Sequence, residues 1–188
     1  GLATATALKD AGATVVGADI NPEISAIMAD IGALGITVDL TQESQIESLI
    51  NRVVSTYGGL DIVVSNAGIF TAGSYIQEMD SNNWDRSLAV NLTSHQVLLK
   101  HAIPFLKKGI DPTIIIIGSR NVNAPGAGAA SYSCAKAALT QLSRVAALEL
   151  APEGVRVNTI HPDAVFDTKL WTQEALERSA ERYGLTVE

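Results

Sequence analysis

Residues 41–68, TQESQIESLINRVVSTYGGLDIVVSNAG, hold two periods in succession. Ile46, Leu49, Ile50, Val53, Val54 and Tyr57 follow the i, i+3, i+4, i+7, i+8, i+11 spacing of one helix face. Thr41 stands where an N-cap would, with Glu43 in the positive first turn. Gly58-Gly59 ends that helix. Residues 60–64 then form a short apolar, largely β-branched run, which suits a strand buried on both faces. It runs into four small residues, Ser65-Asn66-Ala67-Gly68.

The same alternation extends outward in both directions. Further β-branched runs lie at 14–18, 36–38, 113–117 and 155–160. Between them, residues 2–11 read as an Ala-rich helix closed by Gly12. Residues 84–108 read as a long helix, bent or ended near Pro104, and 131–150 as another, ending before Pro152 and Gly154. A polar tail follows the last strand. Helix and strand in strict turn predict an α/β fold: a doubly wound, Rossmann-like parallel sheet with helices on both faces. The 188 residues fit one domain, residues 1–188. Because the chain opens at Gly1, inside what reads as a helix-entry motif, this sheet is expected to be truncated at the N-terminus. It would lack its first strand and most of a Gly-rich turn.

Composition narrows the function. The chain is 47% apolar with only six prolines, which argues for a folded core and against disorder. Thirteen basic against twenty acidic residues, a net charge of −7, leave no cluster suited to nucleic acid. The longest purely isoleucine run, residues 114–117, is far too short to span a bilayer, so no membrane partner is expected. The single cysteine, Cys134, allows no internal disulfide and suits a reducing cytoplasm. No metal site is read.

On a doubly wound sheet, ligands bind beyond the carboxyl ends of the strands. The first strand ends at Asp19, where a carboxylate can accept hydrogen bonds from the ribose hydroxyls of a dinucleotide and repel a 2′-phosphate; an ordinary helix-capping Asp is the alternative. Asp39 ends the next strand, with a cap role equally open. The small residues Asn66, Ala67 and Gly68 let backbone approach a flat ligand, though a plain turn would look the same. Gly1, directly before an apolar helix, could complete a phosphate turn. One glycine alone is no evidence.

Tyr132 and Lys136 are four apart near the start of a helix, so both emerge on one face. A phenol, with a pKa of about 10, is a poor base at neutral pH, and a nearby ammonium favours its phenolate. Ser119 follows the strand at 113–117 by way of Gly118, where a hydroxyl can bond a substrate oxygen as its charge changes. Asn91 lies mid-helix among apolar neighbours, an unfavourable place unless something satisfies its side chain. Each of the four has a bland explanation. Together around one crevice they are harder to dismiss.

These residues resemble the short-chain dehydrogenase/reductase family over nearly the whole chain. Ser65-Asn66-Ala67-Gly68 is similar to its Asn-Ala-Gly motif. Asn91, Ser119, Tyr132 and Lys136 are similar to its catalytic tetrad in order and spacing. Val155-Arg156-Val157-Asn158 with His161-Pro162 is similar to its sixth strand and following loop. The resemblance implies an NAD-dependent oxidoreductase moving a hydride between NAD(H) and a small alcohol or carbonyl compound. Tyr132 would be the acid/base and Ser119 would stabilise the substrate oxygen. Lys136 would hold the cofactor ribose, and Asn91 would support a water relay. Gly1, Asp19, Asp39, Asn66, Ala67, Gly68, Tyr132, Lys136, Pro162 and the backbone at Val165 would hold the cofactor. The helices carrying Asn91 and Tyr132 form subunit contacts in this family, implying a homodimer or homotetramer.

Two departures stand out. Pro162-Asp163 replaces the family's Pro-Gly, and Thr168 falls one residue late, with Asp167 in its place. Residues 161–166, with Leu170-Trp171, resemble the dehydrogenase half of bifunctional aldolase/short-chain dehydrogenases of the rhamnulose-phosphate aldolase type. That resemblance implies a preceding aldolase domain and a lactaldehyde-type or sugar-derived substrate. The rivals are a catalytically idle nucleotide-binding module of a larger enzyme and an NADP-dependent reductase. The intact tetrad speaks against the first and Asp19 against the second.

Overall fold

The computed structural model describes residues 1–71, 73–165 and 172–186. Its elements alternate as the periods predict: α1 (Leu2–Asp10), β1 (Val16–Asp19), α2 (Ile24–Ala29), β2 (Leu34–Thr37), α3 (Glu43–Tyr57) and β3 (Ile62–Ser65). Then come α4 (Ser81–Leu88), α5 (Ser94–Leu106), β4 (Thr113–Ile117), α6 (Ala130–Leu150), β5 (Arg156–Ile160) and α7 (Gln173–Tyr183). All strand pairs are parallel, and each parallel neighbour is reached through a helical crossover. The architecture is Rossmann-like, parallel sheets flanked by helices. Among the described residues the sheet comes in two parts, β1-β2 and β3-β4-β5, with no ladder joining them.

What joins them is α3. Leu49 and Val53 pack with Ile36 and Val38 of the smaller part. Ile50 and Val54, one position on, pack with Val63, Ile114 and Ile116 of the larger. The wide apolar stripe legible in the sequence therefore serves two cores at once. Only its last member departs: Tyr57 is 45% exposed. The larger core centres on β4, where Ile114 and Ile116 are fully buried against Leu99, Leu106 and Leu139. Each such side chain contributes about 1.5–3 kcal/mol by leaving water.

Four local expectations need correction. Thr41 does not cap α3; Gln42 precedes the helix, with no side-chain cap bond. The Thr41 amide and hydroxyl instead donate to Asp39 Oδ1, at 2.9 and 2.7 Å. The turn closed by the Asp39 side chain is the stronger competitor because its carboxylate accepts both donors at once. The helix expected at 84–108 starts earlier, at Ser81, where the Asp80 carboxylate caps it through the Asn82 amide. It ends near Pro104 as expected, at Leu106, but a π-turn at Ala89–Thr93 that the pattern does not show interrupts it earlier. The polar tail carries a helix, α7, whose many charged positions hid it from an apolar pattern.

Candidate active site

The π-turn is centred on Asn91. Such a turn takes a residue out of the i→i+4 ladder and recurs at functional sites. Asn91 is fully buried, yet every polar atom of its side chain is used. Nδ2 donates to Ile69 O at 3.0 Å and to Ser87 Oγ at 3.1 Å, while Oδ1 accepts from the Ile69 amide at 2.9 Å. The polar residue that looks misplaced in sequence thus fixes the chain as it leaves β3.

Gly68 sits just before that grip. A Cβ at this position would lie 3.0 Å from Asn91 Oδ1 and 3.5 Å from Lys136 Nζ, so only bare backbone fits comfortably. Lys136, nearly two turns into α6, is buried and donates to Ile117 O at 2.8 Å, the last residue of β4. Burial pushes its ammonium down to about 8. Its Nζ lies 6.0 Å from the centroid of the Tyr132 ring. Phe70 meets that ring edge-on, with centroids 5.0 Å apart and planes at 75°. Next door, Ser131 Oγ donates to Thr71 O at 3.0 Å. Of three consecutive residues, Ile69 therefore holds Asn91 in the π-turn, while Phe70 and Thr71 meet Tyr132 and Ser131 at the start of α6.

Ser119 leaves β4 through Gly118, where a Cβ would run into the His161 ring. Ser119 is largely buried, and its Oγ accepts from the Asn121 amide at 3.2 Å. His161 Nδ1 lies 3.0 Å from Ser119 O. Beyond it, the Arg120 amide donates to Pro162 O at 3.0 Å, and Arg120 pairs with Asp163 at 3.0 Å. The departure from Pro-Gly at 162–163 is thus built into a bond between the loops after β4 and β5. The structure brings Asn91, Ser119, Tyr132 and Lys136 around the carboxyl ends of β3 and β4.

The residues read as cofactor contacts spread along the same strand ends. A Cβ on Gly1 would come 3.2 Å from Asn66 Nδ2, so the start of α1 adjoins the exit of β3. Asp19 is exposed at the end of β1, and its Oδ1 accepts from the Asn21 amide at 3.0 Å. Asp39 is held by Thr41, whose two donors keep its carboxyl below the usual range. Val165 is half-exposed beyond Pro162. Phe166, Asp167, Thr168, Leu170 and Trp171 lie outside the described residues.

Sequence reading passed over His95, one helical turn after Asn91. It is 1% exposed, with Nε2 2.9 Å from Ala67 O and Nδ1 2.6 Å from Ser65 Oγ. Burial first, then the nearby Lys136 charge, pushes its pKa down to about 4 from 6.5. The signal was there: spacing of four from Asn91 puts both on one face. The sign of the shift gives a prediction. The unfolded ring binds a proton below about 6.5 and the folded one only below about 4, so stability is lost as pH falls between them. The loss is expected to approach about 3 kcal/mol, read by urea titrations across that window. His95→Gln should flatten this part of the profile.

The sequence pattern of the family described as short chain dehydrogenase matches residues 1–179. The chain belongs to the short-chain dehydrogenase family. Cis-4-hydroxycyclohexanecarboxylate dehydrogenase of Sinomonas cyclohexanicum is 33% identical over 167 residues, 86% of this chain and 67% of that protein. The oxidoreductase YuxG of Bacillus subtilis (strain 168) is 32% identical over 155 residues, 81% of this chain but only 22% of that much longer protein. Among solved structures, sorbitol-6-phosphate 2-dehydrogenase SrlD from Erwinia amylovora superposes with a TM-score of 0.90 at 28% identity, covering 100% of this chain and 77% of that one. A 3-ketoacyl-(acyl-carrier-protein) reductase from Brucella melitensis complexed with NADH gives 0.82 at 26%, covering 87% and 72%. An oxidoreductase of the short-chain dehydrogenase family, acting on a small molecule, follows. Among the described residues no helix is long and apolar enough to cross a membrane.

Proposed function

We propose that this chain carries an NAD-dependent dehydrogenase site that interconverts a small alcohol and its carbonyl compound, with Tyr132 as acid/base. The observation that carries it is the convergence of Asn91, Gly68 and Lys136 beside the Tyr132 ring, next to the exit of β4 that bears Ser119. The lack of a Cβ at Gly68 lets its backbone lie close to Asn91 and Lys136, which gathers these groups at one place. NAD, when bound, supplies the hydride-accepting group.

On the protein's side, Tyr132 takes the proton from the substrate hydroxyl, or returns it in the reverse direction. Ser119 donates its hydroxyl hydrogen to the substrate oxygen, a role open to it because its Oγ acts as acceptor toward the Asn121 amide. Lys136, donating to Ile117 O, keeps two further ammonium hydrogens for a ribose and for the tyrosine side of the site. Asn91 fixes the exit of β3 and, through the π-turn around it, opens a main-chain position for a proton-relaying water. Asn66, Ala67 and Gly68 would lie along the cofactor, with Gly1 at its phosphates and the loop at Pro162 and Val165 at its amide. Asp39 would meet the adenine side.

Asp19 sets the preference for NAD. Its carboxylate at the end of β1 would accept from ribose hydroxyls and repel a 2′-phosphate. Asp19→Ala should cut the ratio of kcat/KM for NAD over NADP by about tenfold or more, roughly the 1.4 kcal/mol of one charge-assisted interaction. Initial rates with both cofactors and a panel of small secondary alcohols measure it. An unchanged ratio removes Asp19 from cofactor selection.

The same reading extends to the whole protein. The chain is the dehydrogenase part of a bifunctional aldolase/dehydrogenase, and its substrate a lactaldehyde-type or sugar-derived compound. The resemblance of residues 161–166 carries the bifunctional reading, and the sorbitol-6-phosphate 2-dehydrogenase neighbour is in keeping with a sugar-derived substrate. A homodimer or homotetramer in the cytoplasm completes the proposal, in keeping with the lone, exposed thiol of Cys134.

A further inference from the structure

His95 is a buried titratable side chain that the proposed chemistry does not use, and its two bonds define its chemical state. Ala67 O can only accept, so Nε2 must carry a hydrogen and donate it. A neutral ring then leaves Nδ1 as an acceptor, and the Ser65 hydroxyl, 2.6 Å away at the last position of β3, must be its donor. The charged group facing the ring is Lys136, which works against an imidazolium here.

The placement matters more than the state. Asn91 and His95 are four apart, on one face of the helix that crosses behind the exit of β3. Ala67 and Ile69 are two apart on that exit. Asn91 Nδ2 takes Ile69 O and His95 Nε2 takes Ala67 O, at 3.0 and 2.9 Å. Asn91 and His95 thus hold alternate carbonyls of the segment that leaves β3, gripping it at two points. Gly68 lies between the two held residues, its backbone close against Asn91 Oδ1 and Lys136 Nζ.

We infer that His95 is a positioning residue for cofactor binding: as the neutral Nε2–H tautomer it works with Asn91 to hold the backbone on either side of Gly68 flat against the ligand. The inference rests on the reading of residues 66–68 as a cofactor contact. Its Ser65 bond orients the ring, and its Ala67 bond does the positioning.

Two substitutions separate those bonds. The side-chain amide of Gln places a donor near the Nε2 position, whereas Asn places its polar atoms near Nδ1 and cannot reach Ala67 O. His95→Gln should bind NADH within about twofold of the unchanged chain, and His95→Asn about tenfold more weakly, or about 1.4 kcal/mol. Fluorescence titration with NADH reads the affinities, with thermal melts run in parallel. Equal affinity in all three proteins overturns the inference, as does a loss that merely tracks the fall in Tm for both variants. Nitrogen-15 NMR of the unchanged chain gives a second, cofactor-free test at neutral pH. A protonated Nε2 with a bare Nδ1 on His95 supports the inference; the opposite tautomer or an imidazolium overturns it. An unchanged chain that binds no NADH overturns the cofactor reading itself, and the NMR result then stands apart as a report on the ring alone.

Discussion

Tyr132→Phe is expected to lower turnover on the order of 10³-fold while leaving NADH affinity within about twofold. The two outcomes separate because the substitution removes one oxygen and little else. The Phe ring keeps its edge-on contact with Phe70, and Lys136 keeps its bond to Ile117 O. The segment from Ile69 to Thr71 stays anchored through Asn91 and Ser131, neither of which touches the phenol oxygen. What disappears is the group that exchanges a proton with the substrate oxygen. Initial-rate measurements by NADH absorbance, paired with a binding titration, read both quantities. Unchanged turnover would sink the assignment of Tyr132. Parallel loss of turnover and of NADH binding would instead mark it as a residue that shapes the site.

Asn91→Leu is expected to cost about 2–4 kcal/mol of stability and to abolish turnover. Leucine keeps the branched outline of asparagine but is bulkier, so part of the cost is overpacking of a fully buried site. The rest comes from the Ile69 amide and carbonyl, both of which lose their partner in a part-buried setting, at about 1–3 kcal/mol for each unsatisfied group. The Ser87 hydroxyl, fully buried, loses its donor as well. Freed from Asn91, the exit of β3 would no longer hold Gly68 beside Lys136. Urea denaturation with an unchanged m-value measures the stability change. A variant as stable as the parent would mean that Ile69 is held by something other than this side chain.

The order of elements was readable because each one carries its own local period and its own terminators. The stripe from Ile46 to Val54 and the left-handed Gly58 that ends α3 are short-range features, as is the isoleucine run of β4. Asn91, Ser119, Tyr132 and Lys136 were singled out for a different reason: each alone had a bland explanation, and only their joint order and spacing, through the family resemblance, marked them as a site. Thr41 misled because one residue offered two local solutions. The choice fell to the carboxylate of Asp39, which binds both of its donors. The interruption at Ala89–Thr93 also escaped the local reading, since nothing at Val90 or Leu92 breaks a helix the way Pro104 was expected to.

By itself, then, the sequence determined the alternation of helix and strand up to the last strand and the parallel sheet that follows from it. Those properties depend on periodicity and on the handedness of crossovers, both written within a few dozen residues. Only the tertiary structure decided what the buried polar groups hold. Asn91 and His95 find partners 22 and 28 residues away, and Ser131 reaches back 60 residues to Thr71. The division of the sheet into two parts, bridged by successive residues of one helix stripe, belongs to the same class. A hydrogen bond across such distances leaves no period in the chain, because its partners are selected by where the backbone has already been placed.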